Sequence, residues 1–325
     1  MQEDITYASI DSIAKRVGLT SMLIGRYDDR TWKENSQYDL QTHLRKKEEW
    51  HLLMEELYKQ RTKFKNIYKL NPMDLKVRNP PNSFIAKPNG EYVRMIAAIF
   101  EGQVYFLKPL KKYPKIRGIP REAYVMSRLR HENIAKSIGY IKIKKNEKFL
   151  ALECLPLVLD KYLEKNLSIK QKLYIIIEIG RGLCFLHMKN TVFLNLSPWS
   201  INVDQDGKPK LFDFELCTNL KMEPPEKFYK ESSFASPEAM MGCRDILGDI
   251  YSYGLLAYYI LTKNLYCEYI GLEGLDDNSD YFSDYENKSV IDGLRNLIER
   301  MIDPISVERP TAEECYIEFK RLNNI

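Results

Sequence analysis

Phe193-Leu194-Asn195-Leu196-Ser197-Pro198-Trp199-Ser200-Ile201-Asn202-Val203 is the stretch on which the reading of this chain turns. Its two polar landmarks are the carboxamide of Asn195 and the hydroxyl of Ser200. A neutral amide cannot serve as a general base near pH 7, and a hydroxyl is a poor magnesium ligand beside a carbonyl oxygen. Outward from it lie Lys210-Leu211-Phe212-Asp213-Phe214-Glu215-Leu216, Phe234-Ala235-Ser236-Pro237-Glu238, Asp249-Ile250-Tyr251-Ser252-Tyr253-Gly254 and Glu308-Arg309-Pro310-Thr311. Upstream stand Val104-Tyr105-Phe106-Leu107-Lys108 and, after Pro120, Glu122. Each segment alone says little; their order and spacing carry the fold.

The bulk properties set bounds. At 325 residues the chain has room for one large two-lobed domain with an extension, or for two ordinary domains. Its 44% hydrophobic and 29% charged residues are those of a folded protein. A net charge of +4 gives no reason to expect nucleic acid as a partner. Lysine-rich stretches such as Lys142-Ile143-Lys144-Lys145 read as solvated strand ends. Six scattered cysteines without a C-x-x-C pair offer neither metal-ligand spacing nor a disulfide framework, and suggest reduced thiols. The start lacks a signal-peptide profile and no apolar run reaches the length of a membrane span, so a cytoplasmic protein without membrane insertion is expected.

Along the chain the texture changes at Asn79-Pro80-Pro81-Asn82, a strong breaker. Before it, residues 1–78 read as helical. Apolar positions recur at helical spacing from about Tyr38 to Tyr68, with charges on the other face, and a shorter helix is expected near Ile10–Arg16. After it, residues 79–325 form the main domain. Alternating runs at Tyr92–Ile99, Val104–Pro109, Ile138–Ile143 and Phe149–Leu155 predict antiparallel strands, with a helix near Pro120–Arg130. Beyond Leu167 the pattern turns helical, as in Ile169–His187 and Asp249–Leu261. The class is α+β, a β-rich lobe followed by a helical one.

These segments resemble those of a bilobal protein kinase. A working catalytic loop reads H-R-D-L-x-x-x-N, in which the Asp takes the substrate proton and the Asn holds magnesium. On that pattern Phe193 replaces His, Leu194 replaces Arg, Asn195 replaces Asp and Ser200 replaces Asn. Lys108 resembles the phosphate-gripping Lys of the third strand, and Glu122 its pairing partner. In the Gly-rich loop Ala86, Pro88 and Glu91 stand where three glycines belong. Asp213 keeps the metal-binding position of D-F-G, while Glu215 replaces its Gly and loses backbone freedom. Asp204-Gln205-Asp206-Gly207 reads as a hairpin turn rather than a source of a substitute base. Glu238 and Arg309 resemble the family's architectural ion pair, and Asp249 opens the central helix. The resemblance implies a pseudokinase, not an enzyme, with no metal, no cofactor beyond weak ATP binding, and Lys108, Glu122 and Asp213 as a vestigial nucleotide site.

Phe214-Glu215-Leu216, together with a helical lead such as Gln41–Glu49, is similar to the mixed-lineage kinase domain-like family, whose members execute necroptosis. Residues 1–78 would then hold brace-like helices. Fewer than 40 residues precede the long helix, too few for that family's membrane-active four-helix bundle. No adjacent Thr-Ser pair stands between Asp213 and Glu238. Both departures are most like the truncated poxvirus-encoded homologues. The resemblance therefore implies a decoy in the host cytosol that binds receptor-interacting protein kinase 3 and blocks phosphorylation of its cellular substrate. Alternatives are a nucleotide-gated scaffold with another partner, a weakly active protein kinase and, least supported by residues 1–35, a cell-killing effector.

Overall fold

In the computed structural model the described residues cover most of 119–324, apart chiefly from 221–231 and 276–287, and mainly strand segments between 69 and 118. The expected helices of residues 1–68 lie outside them, as do Pro88 and Glu91 of the degenerate glycine loop. Two compact units emerge, residues 1–112 with 136–156 and residues 113–135 with 157–325.

The first unit contains β1 (Lys69–Leu70), β2 (Lys76–Arg78), β3 (Phe84–Ala86), β4 (Tyr92–Arg94), β5 (Ile96–Phe100), β6 (Gln103–Pro109), β7 (Ser137–Lys144) and β8 (Glu147–Glu153). Six of these strands form one sheet in the order β1-β7-β8-β6-β5-β2, while β3 and β4 pair separately. The central pairs β5–β6, β6–β8 and β7–β8 are antiparallel, with Ala98 opposite Tyr105 and Lys108 opposite Leu150. Period-two alternation puts Ala98, Tyr105, Leu107, Ile141, Phe149 and Ala151 into one buried cluster. The run expected as a single strand from Tyr92 to Ile99 is two. β4 pairs with β3 and β5 with both β2 and β6, so the two strands have different partners.

The second unit holds α1 (Arg121–Met126), β9 (Leu157–Val158), α2 (Leu159–Tyr162), α3 (Ile169–Met188), β10 (Thr191–Val192), β11 (Ile201–Val203), β12 (Pro209–Leu211), β13 (Thr218–Asn219), α4 (Pro237–Met240), α5 (Ile246–Thr262), α6 (Lys288–Met301) and α7 (Ala312–Asn323). Its strands form a three-stranded sheet, β9-β11-β12, and a pair, β10-β13, besides a short pairing of Lys115–Ile116 with Ile119–Pro120. Both long-helix starts are capped by side chains. Ser168 and Gln171 form a capping box on α3, and Asp245 accepts the Leu247 amide of α5. That cap starts α5 at Ile246, ahead of the Asp249 expected from sequence. α1 ends at Met126, short of Arg130, because the Arg128 and Leu129 amides reach back three residues to the Val125 and Met126 carbonyls. The helical core is thick: α5 is buried from Gly248 to Thr262 and packs on α3 and α6. Among the described residues no helix is long and apolar enough to cross a membrane.

Candidate functional site

The loop between β10 and β11 is hung on one carboxylate. Asp249, in the first turn of α5, is 0% exposed. Its Oδ2 accepts the Phe193 amide at 2.8 Å and faces His187 Nε2 at 3.0 Å. Its Oδ1 accepts the Leu194 amide at 2.8 Å. This clamp holds Leu194 at φ 60°, a left-handed conformation that costs a branched residue about 1–2 kcal/mol. The bend it enforces sends the Phe193 ring inward. There it meets Phe214 edge-to-face at 4.9 Å, joining the loop to the Asp213-Phe214-Glu215 segment.

Two residues further, the same bend brings Asn195 to Asp213. Asn195 Nδ2 donates to Asp213 Oδ2 at 2.9 Å and lies 3.4 Å from the Asp213 carbonyl oxygen. The Glu215 amide approaches Asp213 Oδ1 at 3.4 Å. Ser200 turns into its own loop: its Oγ donates to the Ser197 carbonyl at 2.9 Å and accepts the Ser197 amide at 3.0 Å. Of the residues expected at a degenerate catalytic centre, Phe193, Leu194, Asn195, Ser200, Asp213 and Glu215 are therefore gathered into one hydrogen-bonded loop system. Lys108 lies buried in β6 of the first unit, and Glu122 is buried in the first turn of α1 in the second.

Arg309 forms two bonds with Glu238, Nη1 to Oε1 at 2.5 Å and Nη2 to Oε2 at 3.1 Å. It also donates to the Asp303 and Leu247 carbonyls, at 2.7 and 3.0 Å. Burial is the largest influence on the Glu238 carboxyl and works to raise it, but hydrogen bonds from Arg309, its own backbone amide and Ser236, with the Arg309 charge, together hold the group below the ordinary carboxylate range. The turn at Asp204–Gly207 is a hairpin, its carboxylate bonded to the Asp206 and Lys208 amides and Gly207 at φ 81°. Five cysteines of the described residues are free thiols. Among the described residues no group of three or more His, Cys, Asp or Glu is arranged to hold a metal.

Sequence reasoning missed several partners. His187 joins the Asp249 clamp from the last turn of α3. Trp199, Phe234 and Tyr259 pack ring against ring, with centroids 5.8–6.5 Å apart. Arg121 of α1 donates to the Thr218 hydroxyl of β13. The only hint in the sequence is that Trp199 and Phe234 sit inside recognisable segments, while Tyr259 follows the Asp249 motif on the same helix.

Comparison with known proteins places this geometry. The chain is 28% identical over 155 residues to cysteine-rich receptor-like protein kinase 27 of Arabidopsis thaliana, covering 43% of this chain and 24% of that protein. It is 30% identical over 184 residues to PR5-like receptor kinase of the same plant, covering 51% and 27%. With cysteine-rich receptor-like protein kinase 10 of Oryza sativa subsp. japonica it shares 29% identity over 178 residues, covering 50% and 27%. The chain thus spans about a quarter of the length of the curated relatives it matches. These matches correct the expectation, drawn from Asn195 and Ser200, that the chain is not an enzyme: the relatives are named as kinases. Residue type at two positions does not establish inactivity against a match across the whole domain. Residues 90–318 match the protein kinase domain, and the chain belongs to that family.

Proposed function

We propose that this protein kinase domain acts by docking on a second kinase, receptor-interacting protein kinase 3, in the cytosol of a host cell. By occupying that kinase it keeps the cellular mixed-lineage kinase domain-like protein from being phosphorylated, and so inhibits necroptosis. The partner is chosen on the likeness of Phe214-Glu215-Leu216 to that family. One observation carries the reading. The clamps that hold the fold, Asp249 on the loop and Arg309 on Glu238, are complete, while the loop's own polar groups bond to one another. These clamps fix the loop within the second unit, and inhibition by occupancy requires affinity rather than turnover. The test is binding of the full chain to the isolated kinase domain of human or rodent receptor-interacting protein kinase 3, without nucleotide. Submicromolar affinity is expected; no binding to any orthologue removes the reading.

The kinase names of the relatives favour a second reading, phosphoryl transfer to a protein by this chain itself. Its test is incorporation of labelled phosphate from ATP into the partner kinase and into a generic protein substrate. Transfer abolished by Lys108→Met and by Asp213→Asn would establish it, and transfer equal in all three chains would dismiss it as a contaminant.

A further inference from the structure

Protein kinases work on a magnesium-bound nucleotide, with ions held by the Asp of the D-F-G segment and the Asn of the catalytic loop. Here those positions are Asp213 and Ser200, and the second does not fit the ion. Ser200 is 2% exposed, and its hydroxyl closes the Ser197–Ser200 turn both as donor and as acceptor. A magnesium ligand there would have to break that turn and strip a buried hydroxyl from its partners. Asp213 keeps its carboxylate, but the chain has supplied it with a donor. The Asn195 amide points an N–H at Oδ2 from 2.9 Å. Magnesium demands a near-octahedral oxygen set at about 2.0–2.1 Å, and an N–H group can only be displaced, never recruited, as a ligand. The Asn195 position is itself fixed, because the Asp249 clamp sets the backbone of Phe193 and Leu194 just before it.

We infer that the Asn195 carboxamide is a resident hydrogen-bond donor to Asp213, orienting that carboxylate where other kinases use a divalent cation, so that the chain takes up no magnesium or manganese there. This goes beyond the docking reading and stands or falls separately from it, since it concerns an intramolecular bond. It also makes a gain-of-function statement. Asn195→Asp replaces the donor by a second carboxylate at hydrogen-bond distance from the first, and two such groups in a half-buried site share a cation more readily than they share a proton-free gap.

The experiment is titration of the full chain with Mn²⁺, following loss of the free-ion signal by electron paramagnetic resonance, with thermal unfolding in Mn²⁺ or Mg²⁺ as a second readout. Each chain is compared with its own Asp213→Asn counterpart, so that ions bound elsewhere cancel. The wild-type chain is expected to show no Asp213-dependent binding up to millimolar Mn²⁺. Asn195→Asp is expected to gain about one Asp213-dependent ion, at least tenfold tighter, with a raised melting temperature in the metal. Asn195→Ala, which removes the donor without adding charge, is expected to gain weaker binding, and it decides the matter where Asn195→Asp does not fold. Asp213-dependent binding by the wild-type chain would overturn the inference. So would the absence of any gain in a folded Asn195→Ala chain.

Discussion

Asp249 ties the loop before β11 to two helices of the second unit. Three N–H groups from two elements converge on one carboxylate with no exposure to solvent. Hydrogen bonds to an ionised acceptor contribute about 1.5–3 kcal/mol each, and a buried donor left without one costs about 1–3 kcal/mol. Asn at this position keeps the size but turns one oxygen into a donor facing another donor. Asp249→Asn should therefore lose about 3 kcal/mol in chemical denaturation. It should also free Leu194 from its left-handed conformation, which shows as faster amide exchange at Phe193 and Leu194 than in α6. A loss under about 1 kcal/mol would mean that the loop holds its bend without the clamp. Asp249, Glu238 and Arg309 were legible in the sequence because each sits in a short segment of fixed spacing. The Asn195–Asp213 bond was not, because it depends on the path of two loops, and residue type alone gave only the loss of a base.

The helices are set close by small residues, and here the elements make their own demand. A Cβ built on Gly254 of α5 would lie 2.9 Å from the Met301 Cβ and 2.8 Å from Ile302 Cγ2 at the end of α6. Real Cβ atoms do not approach so near, and the Met301 Cβ is fixed to backbone rather than to a movable tip. On α3, a Cβ at Gly180 would meet the Tyr253 hydroxyl at 2.5 Å, which now donates to the Ile176 carbonyl at 2.7 Å. Overpacking of this kind costs about 1–3 kcal/mol. Gly254→Ala should fall in that range by urea denaturation, with α5 and α6 losing amide protection together. An unchanged midpoint would show that the two helices can slide apart. Long elements such as α3 and the pair β7–β8 were readable because their apolar periods run for several turns or alternations. The division of β4 from β5 and the early end of α1 were not, since both are decided by which strand or carbonyl is available as partner, a tertiary fact without a local signature.

Over the whole molecule, net charge says little and its distribution says more. Glu132, Glu238, Glu314 and Glu318 all lie in the second unit, and each has its carboxyl below the ordinary range. The causes differ. Hydrogen bonding to Lys208, to the Thr311 amide and to Arg321 lowers Glu132, Glu314 and Glu318, all three near the surface. For Glu238 burial opposes ionisation, and Arg309, the Glu238 backbone amide and Ser236 together overcome it. A carboxyl depressed in the folded state binds fewer protons there than in the unfolded chain. Its contribution is thus present above the unfolded value of about 4.5 and is lost as pH falls through the lower folded value. Stability should accordingly drop with acid below about pH 4.5. Salt separates the parts, since the Debye length shrinks from about 10 Å at 0.1 M to about 3 Å at 1 M and screens exposed pairs first. At 1 M NaCl the acid limb should persist in the wild-type chain and flatten in Glu238→Gln, which has no proton to take up at that site. Urea midpoints from pH 6 to pH 3 measure it. If the two chains keep parallel acid limbs at high salt, the Glu238–Arg309 pair is not the buried electrostatic anchor of this unit, and the surface carboxylates carry the pH dependence instead.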